Sequence, residues 1–123
     1  MNNPKSILIV EDEVILSAWL KMQIEDEGYL VCGCITTGEK AIEFVKETKP
    51  DVILMDINLV GKIDGIEAAE VINKKSKIPI IFMTGYEEPE IYERAQKTKP
   101  VAYLTKPVEF WELKPIFESI FSC

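Results

Sequence analysis

The sequence predicts an α/β fold: a doubly wound parallel sheet with helices on both faces. Two observations carry that expectation. Short apolar runs alternate five times with segments of helical periodicity, the pattern of strand–helix–strand crossover units. The run Val52-Ile53-Leu54-Met55 shows no apolar–polar alternation. Such a strand is buried on both faces, as in a parallel sheet covered by helices.

Each element follows in order. Residues 7–10 form the first strand. Residues 14–27 form the first helix, with Ile15, Trp19, Met22 and Ile24 expected inward, and Gly28 stops it, as a C-terminal glycine commonly does. Residues 29–35 are the second strand; Cys32 and Cys34, two apart, are expected on one face. The second helix, 38–48, places Ala41, Ile42 and Val45 inward. The third strand, 52–55, runs into Asp56, and a loop with Gly61 at its tip, expected to move, leads to the third helix. That helix, 65–75, turns Ile66, Ala69 and Ile72 inward. The fourth strand is 78–83 and the fourth helix, 89–96, is short and polar. The fifth strand, 101–104, precedes a helix after Pro107 that holds Phe110, Trp111, Leu113, Ile116, Phe117 and Ile120. Pro115 inside that last pattern is expected to delay the helix or kink it.

At 123 residues with 47% hydrophobic composition, the chain suits one domain, 1–123, with a real core. The net charge of −7 is repelled by phosphate backbones, which argues against direct nucleic-acid binding. The absence of histidine excludes a Ser-His-Asp triad, a Cys-His pair and any histidine-based metal site. Cys32, Cys34 and Cys123 lack the spacing of redox or zinc motifs and are expected as ordinary buried thiols in a reducing compartment. The apolar run near the N-terminus is too short for a signal peptide or a membrane span, so a cytoplasmic location is expected.

The polar residues at the strand ends carry the function. In a parallel sheet all strand C-termini share one edge, where α/β proteins bind ligands. Here that edge receives Glu11-Asp12-Glu13, Asp56, Thr84-Gly85 and Thr105-Lys106-Pro107. Each alone has an ordinary explanation: acids favour a helix start, a threonine suits a turn, a lysine is solvated charge. Together they form a set with one chemistry. Carboxylates a few ångström apart repel by about 4 kcal/mol per pair at an effective dielectric near 20. Mg2+ removes that cost and binds one or two carboxylates while keeping positions for water and a phosphoryl oxygen. An aspartate can attack phosphorus as a nucleophile. Lysine and a threonine hydroxyl stabilise charge on the transferring group.

The stretches ILIVEDE, VILMDINL, DGIEAAEVI, PIIFMTGY and VAYLTKP resemble a response-regulator receiver domain of two-component signalling, similar to the chemotaxis regulators, over essentially the whole chain. The resemblance implies a flavodoxin-like fold: a five-stranded sheet of order 2-1-3-4-5 with five flanking helices. It implies Asp56 as phosphoacceptor, and Glu11, Asp12, Asp56 and the backbone carbonyl of Asn58 as the Mg2+ site. It implies Thr84 as the switch hydroxyl, Lys106 as the family's characteristic lysine, a cis peptide at Lys106-Pro107, and Tyr103 as the aromatic that rotates when Thr84 moves. The phosphodonor implied is a histidine kinase or phosphotransfer protein. The output is a partner protein, a linked domain or a second copy of the chain, with no separate catalytic class beyond phosphoryl acceptance and self-dephosphorylation. The chain is then either a stand-alone regulator or the receiver part of something larger, such as a hybrid histidine kinase. Two departures stand out: a loop after Asp56 one residue longer than the common form, and Val108 where phenylalanine is common.

Three other readings fit less well. A haloacid-dehalogenase-like phosphatase wants a second aspartate two residues after its nucleophile, where this chain has Asn58. A nucleotide-binding fold wants a glycine-rich turn after the first strand, and EDEVILS has none. A non-phosphorylated interaction module would not need the filled acidic set. The surface of the fourth helix, fifth strand and fifth helix, with Tyr92, Tyr103, Trp111 and Phe110, is the expected partner face, since aromatic residues are enriched at interfaces.

Overall fold

The computed structural model describes residues 4–85 and 88–122. Cys123 therefore lies outside the described residues, as do the first three positions. The elements run β1 (Ser6–Val10), α1 (Val14–Asp26), β2 (Leu30–Ile35), α2 (Gly38–Glu47), β3 (Val52–Asp56), α3 (Gly65–Lys75), β4 (Ile80–Thr84), α4 (Pro89–Lys97), β5 (Ala102–Thr105) and α5 (Phe110–Phe121). All strand pairs are parallel, in the order β2-β1-β3-β4-β5. That is the expected architecture.

The central strands bury both faces because their side chains alternate between two apolar layers. Ile53 and Met55 join Leu8, Val10 and Phe82 in one layer, against α2, α3 and α4. Val52 and Leu54 join Ile7, Ile9 and Ile81 in the other, where α1 and α5 supply Leu20, Ile24, Leu113 and Phe117. No helix among the described residues is long and apolar enough to cross a membrane.

Three expectations are refined. In α1 the inward residues are Leu20 and Ile24, with Leu16 and Trp19 packed beside them. Ile15 is 87% exposed and Met22 56% exposed, so neither faces the core. The spacing of Leu16, Leu20 and Ile24 fits one helical face better than that of Ile15 and Met22. The two cysteines part company because β2 carries a bulge: the β1–β2 register jumps from Ile7↔Val31 to Leu8↔Gly33. The extra residue breaks the alternation. Cys32 packs on the layer with α2, while Cys34 is exposed and lines a cleft against α1 with Val14 and Ala18. Pro115 does not delay α5, which starts at Phe110 and runs through it. Pro115 is exposed, so the Trp111 carbonyl that loses its partner lies on the wet side of the helix.

The loop after Asp56 is tied to its neighbours at several points. Val60 pairs with Thr37, the N-cap of α2, as an isolated parallel bridge. The Lys62 amide donates to Glu39 Oε2 at 3.3 Å, and that backbone hydrogen bond is the first cause of a lowered Glu39 pKa. Gly61 adopts φ 111° beside the Glu39 carboxylate, where a side chain would be both strained and crowded. At the far end Asp64 caps α3 in a reciprocal box with Glu67 and accepts from Arg94 of α4 at 3.1 Å.

Gly65 opens α3 directly behind the third strand. Its amide donates to the Ile57 carbonyl at 2.9 Å, and a β-carbon there would overlap the Asp56 carbonyl oxygen. Gly65→Ala is therefore expected to lower stability by about 1–3 kcal/mol, the cost of overpacking. Urea unfolding checks this; a midpoint equal to the wild type would show that the helix start can retreat freely.

Candidate functional site

Asp56 is the last residue of β3, where the apolar run of a two-faced strand reaches the sheet edge, and it is fully buried. Glu11 follows β1 on the neighbouring strand and is 1% exposed. Asp12 is half-buried. Each of the three offers a carboxylate oxygen, and these oxygens lie within 4.8 Å of one another. Lys106, just after β5, reaches across β4 to meet them. Its ammonium donates to Glu11 Oε1 at 3.1 Å and to Asp56 Oδ2 at 3.3 Å, with Glu13 Oε1 at 3.6 Å.

Backbone bonds knit this edge together. The Glu13 amide donates to Glu11 Oε2 at 3.0 Å, and the Asn58 amide to Asp56 Oδ1 at 3.2 Å. The Ile57 amide donates to the Met83 carbonyl at 3.0 Å and the Lys106 amide to the Thr84 carbonyl at 2.7 Å. Thr84, fully buried, ends β4 one residue past Met83, the register partner of Asp56. The Lys106-Pro107 peptide is cis, as expected.

The electrostatics are those of excess negative charge taken out of water. Burial raises the Glu11 pKa to about 7; the Glu13 amide opposes this and the charge of Asp56 adds to it. Burial also raises Asp56, against the pull of Lys106. Burial alone would lower the Lys106 pKa, but its hydrogen bond to Glu11 and the charge of Asp56 outweigh that and raise it. A single ammonium group thus offsets several carboxylates incompletely. The oxygen donors, their closeness and their unbalanced charge fit a hard divalent cation such as Mg2+.

Tyr103 of β5 lies opposite Phe82 of β4, with Thr84 the next outward residue on the same side of that strand. Its ring meets Tyr92 edge to face at 5.0 Å, and both line a cleft with Pro89 and Thr105. The rest of the expected aromatic face is elsewhere. Phe110 packs against Tyr29 and Phe117 on the α1 side. Trp111 is 71% exposed and lines a cleft with Gln23 and Asp26 of α1, its Nε1–H donating to Glu109 at 2.9 Å. Turning Phe110, Leu113 and Phe117 inward leaves Trp111 on the flank toward α1, so the four rings do not share a surface.

Sequence reasoning gave no role to Glu39 or Gly65. The pair Asp64-Gly65 carried a signal for the last, since a cap followed by glycine opens α3.

The chain matches the response regulator receiver domain family over residues 7–118. It belongs to that family. It is 35% identical over 115 residues to the transcriptional regulatory protein PdtaR of Mycobacterium tuberculosis, covering 94% of this chain and 56% of that protein. It is 38% identical over 117 residues to the transcriptional regulatory protein DesR of Bacillus subtilis, covering 94% and 57%. The receiver chain thus spans little more than half the length of these curated relatives. Among solved structures, the signal receiver domain of a modulated diguanylate cyclase from Desulfovibrio desulfuricans G20 superposes with a TM-score of 0.90 at 36% identity, covering 96% of this chain and 94% of that one.

A pH dependence follows from Glu11. Its pKa is raised on folding from 4.5 to about 7, so the folded state holds the proton more tightly. Stability from this group is complete below the unfolded value and is lost as pH rises through the folded one. In chelator, the domain is expected to be weaker at about pH 8 than at about pH 5, and Glu11→Gln to flatten that slope. Urea midpoints at the two pH values test this; equal slopes for wild type and variant would contradict it.

Proposed function

We propose that this receiver domain takes a phosphoryl group onto Asp56 and changes conformation to control a partner. The observation that carries this is one buried carboxylate at a strand end, held by Lys106 and set among acids that no other cation within the described residues balances. The donor is the phosphohistidine of a histidine kinase or phosphotransfer protein. An Asp56 carboxylate oxygen forms the bond to phosphorus as the phosphorus–nitrogen bond breaks, and the electron pair leaves with the imidazole nitrogen. Glu11, Asp12, Asp56 and the Asn58 carbonyl are the residues that would hold Mg2+. Mg2+ would neutralise charge on the phosphoryl oxygens.

The chain's own residues do the rest. The Asn58 amide holds Asp56 Oδ1 and Lys106 holds Oδ2, so the carboxylate is oriented before a donor arrives. Lys106 supplies fixed positive charge at the transferring group. Thr84 is the hydroxyl that would engage a phosphoryl oxygen, and Tyr103, on the same side of the adjacent strand, is the ring that would respond. Such a response needs contacts that differ between the two states, because a ligand shifts an equilibrium only by its differential affinity. The cleft at Tyr92 and Tyr103 is the part of the expected partner face that supports this reading. A linked domain, a separate protein or a second copy of the chain could read it.

With Mg2+ and acetyl phosphate, the wild type is expected to gain one phosphoryl group, mapped to Asp56 by mass spectrometry of trapped peptides. Asp56→Asn is expected to abolish the gain, and Lys106→Ala to slow it by about tenfold or more. Labelling at another residue, or a labelled Asp56→Asn variant, would refute the assignment.

A further inference from the structure

The opposite edge of the sheet carries a local cluster of lysines. Lys49 precedes β3, Lys77 precedes β4 and Lys99 precedes β5, so all three enter from the N-terminal ends of the strands. With Lys46 near the end of α2 and Lys75 at the end of α3, they line two clefts that meet at Ser76. Neither cleft is lined by a carboxylate, although the chain has 21 acidic and 14 basic residues. The floor is apolar. Val45 and Val71 lie in one cleft, Ile78 and Val101 in the other. Val71 and Val101 are 39% and 47% exposed.

Helix dipoles account for part of this, since cations favour helix C-termini. That explains Lys46 and Lys75. Lys49, Lys77 and Lys99 each follow a helix C-cap by one residue and are favoured in the same way, but the dipole does not explain the exposed aliphatic floor. Among the described residues only Lys46 of the five has an ion-pair partner, Glu43 at 3.0 Å, and both side chains are exposed. The other four ammonium groups make no ion pair. A phosphate backbone would meet the lysines but gain nothing from the apolar floor.

We propose that this groove holds an acidic segment of a partner protein, with carboxylates on the lysine rim and aliphatic side chains on the valine and isoleucine floor. Apolar contact would supply the affinity, and the lysines the choice of an acidic partner. The groove lies across the sheet from Asp56, so docking here does not depend on phosphorylation. It would tether a partner whose response is then set at the other edge.

A short synthetic peptide alternating glutamate and leucine, titrated into isotope-labelled protein, tests this by NMR. Saturable amide shifts are expected at Val45, Val71, Ile78 and Val101. The double variant Lys49→Glu/Lys75→Glu is expected to bind about tenfold more weakly, and so is a peptide with glutamine in place of glutamate. Both lysines are exposed, so the variant should fold; Lys49→Gln/Lys75→Gln serves if the charge reversal does not. Shifts confined to other residues, equal binding of the glutamine peptide, or displacement of the peptide by duplex DNA or anionic vesicles at lower charge concentration would each overturn the proposal.

Discussion

One ammonium group holds the C-terminal edge of this molecule together. Lys106 lies within 3.1–3.6 Å of carboxylates from Glu11, Asp56 and Glu13, and Asp12 stands within ligand reach of the same cluster. Two of those acids are buried, so their repulsion is not relieved by water. Burial raises the pKa values of both Glu11 and Asp56, and for Glu11 the charge of Asp56 adds to it. A site in which negative charge exceeds its counter-charge is poised for a cation, and a cation beside an oriented aspartate is poised for a phosphoryl group. The proposed acceptor chemistry and the expected cost of the buried charge have one origin.

The frame around the cluster exists to hold it still. β1 and β3 bury both faces and stop at the edge, so Glu11 and Asp56 emerge side by side from rigid neighbours. Gly65 lets α3 begin directly behind the Asp56 carbonyl. The long loop is tied to α2 through Thr37 and Glu39, and to α4 through Asp64 and Arg94. Movement at Asp56 therefore has two mechanical neighbours besides β5. The exposed Asp64–Arg94 pair contributes little stability, but it places α4 and the loop in direct contact.

Most of this frame was legible in the residues. Uninterrupted runs such as 52–55 reveal a two-faced strand, and the polar residue ending each run reveals the edge. What was not legible depended on single-residue shifts. The bulge at Cys32 is marked only by Gly33 in an otherwise apolar strand, and it sends Cys34 to solvent. In α1, apolar residues occur on more than one side, so periodicity did not distinguish Leu16 and Leu20 from Ile15 and Met22. Trp111 looked like part of the α4–β5 surface because neighbouring rings in sequence were assumed to share a face. Lys106 was readable by resemblance as the lysine that neutralises phosphoryl charge; its contacts with Glu11 and Asp56 needed coordinates.

The central claim is that unbalanced buried charge, rather than poor packing, limits the stability of the acidic edge and is what Mg2+ relieves. Urea unfolding of the wild type and Asp56→Asn, each in chelator and in Mg2+, tests it most directly. The asparagine variant should be the more stable protein without metal. The wild type should gain about 2.7 kcal/mol at a hundred times its Mg2+ dissociation constant, and the variant less at the same concentration. An asparagine variant that is weaker in chelator, or that gains as much from Mg2+ as the wild type, would contradict the claim.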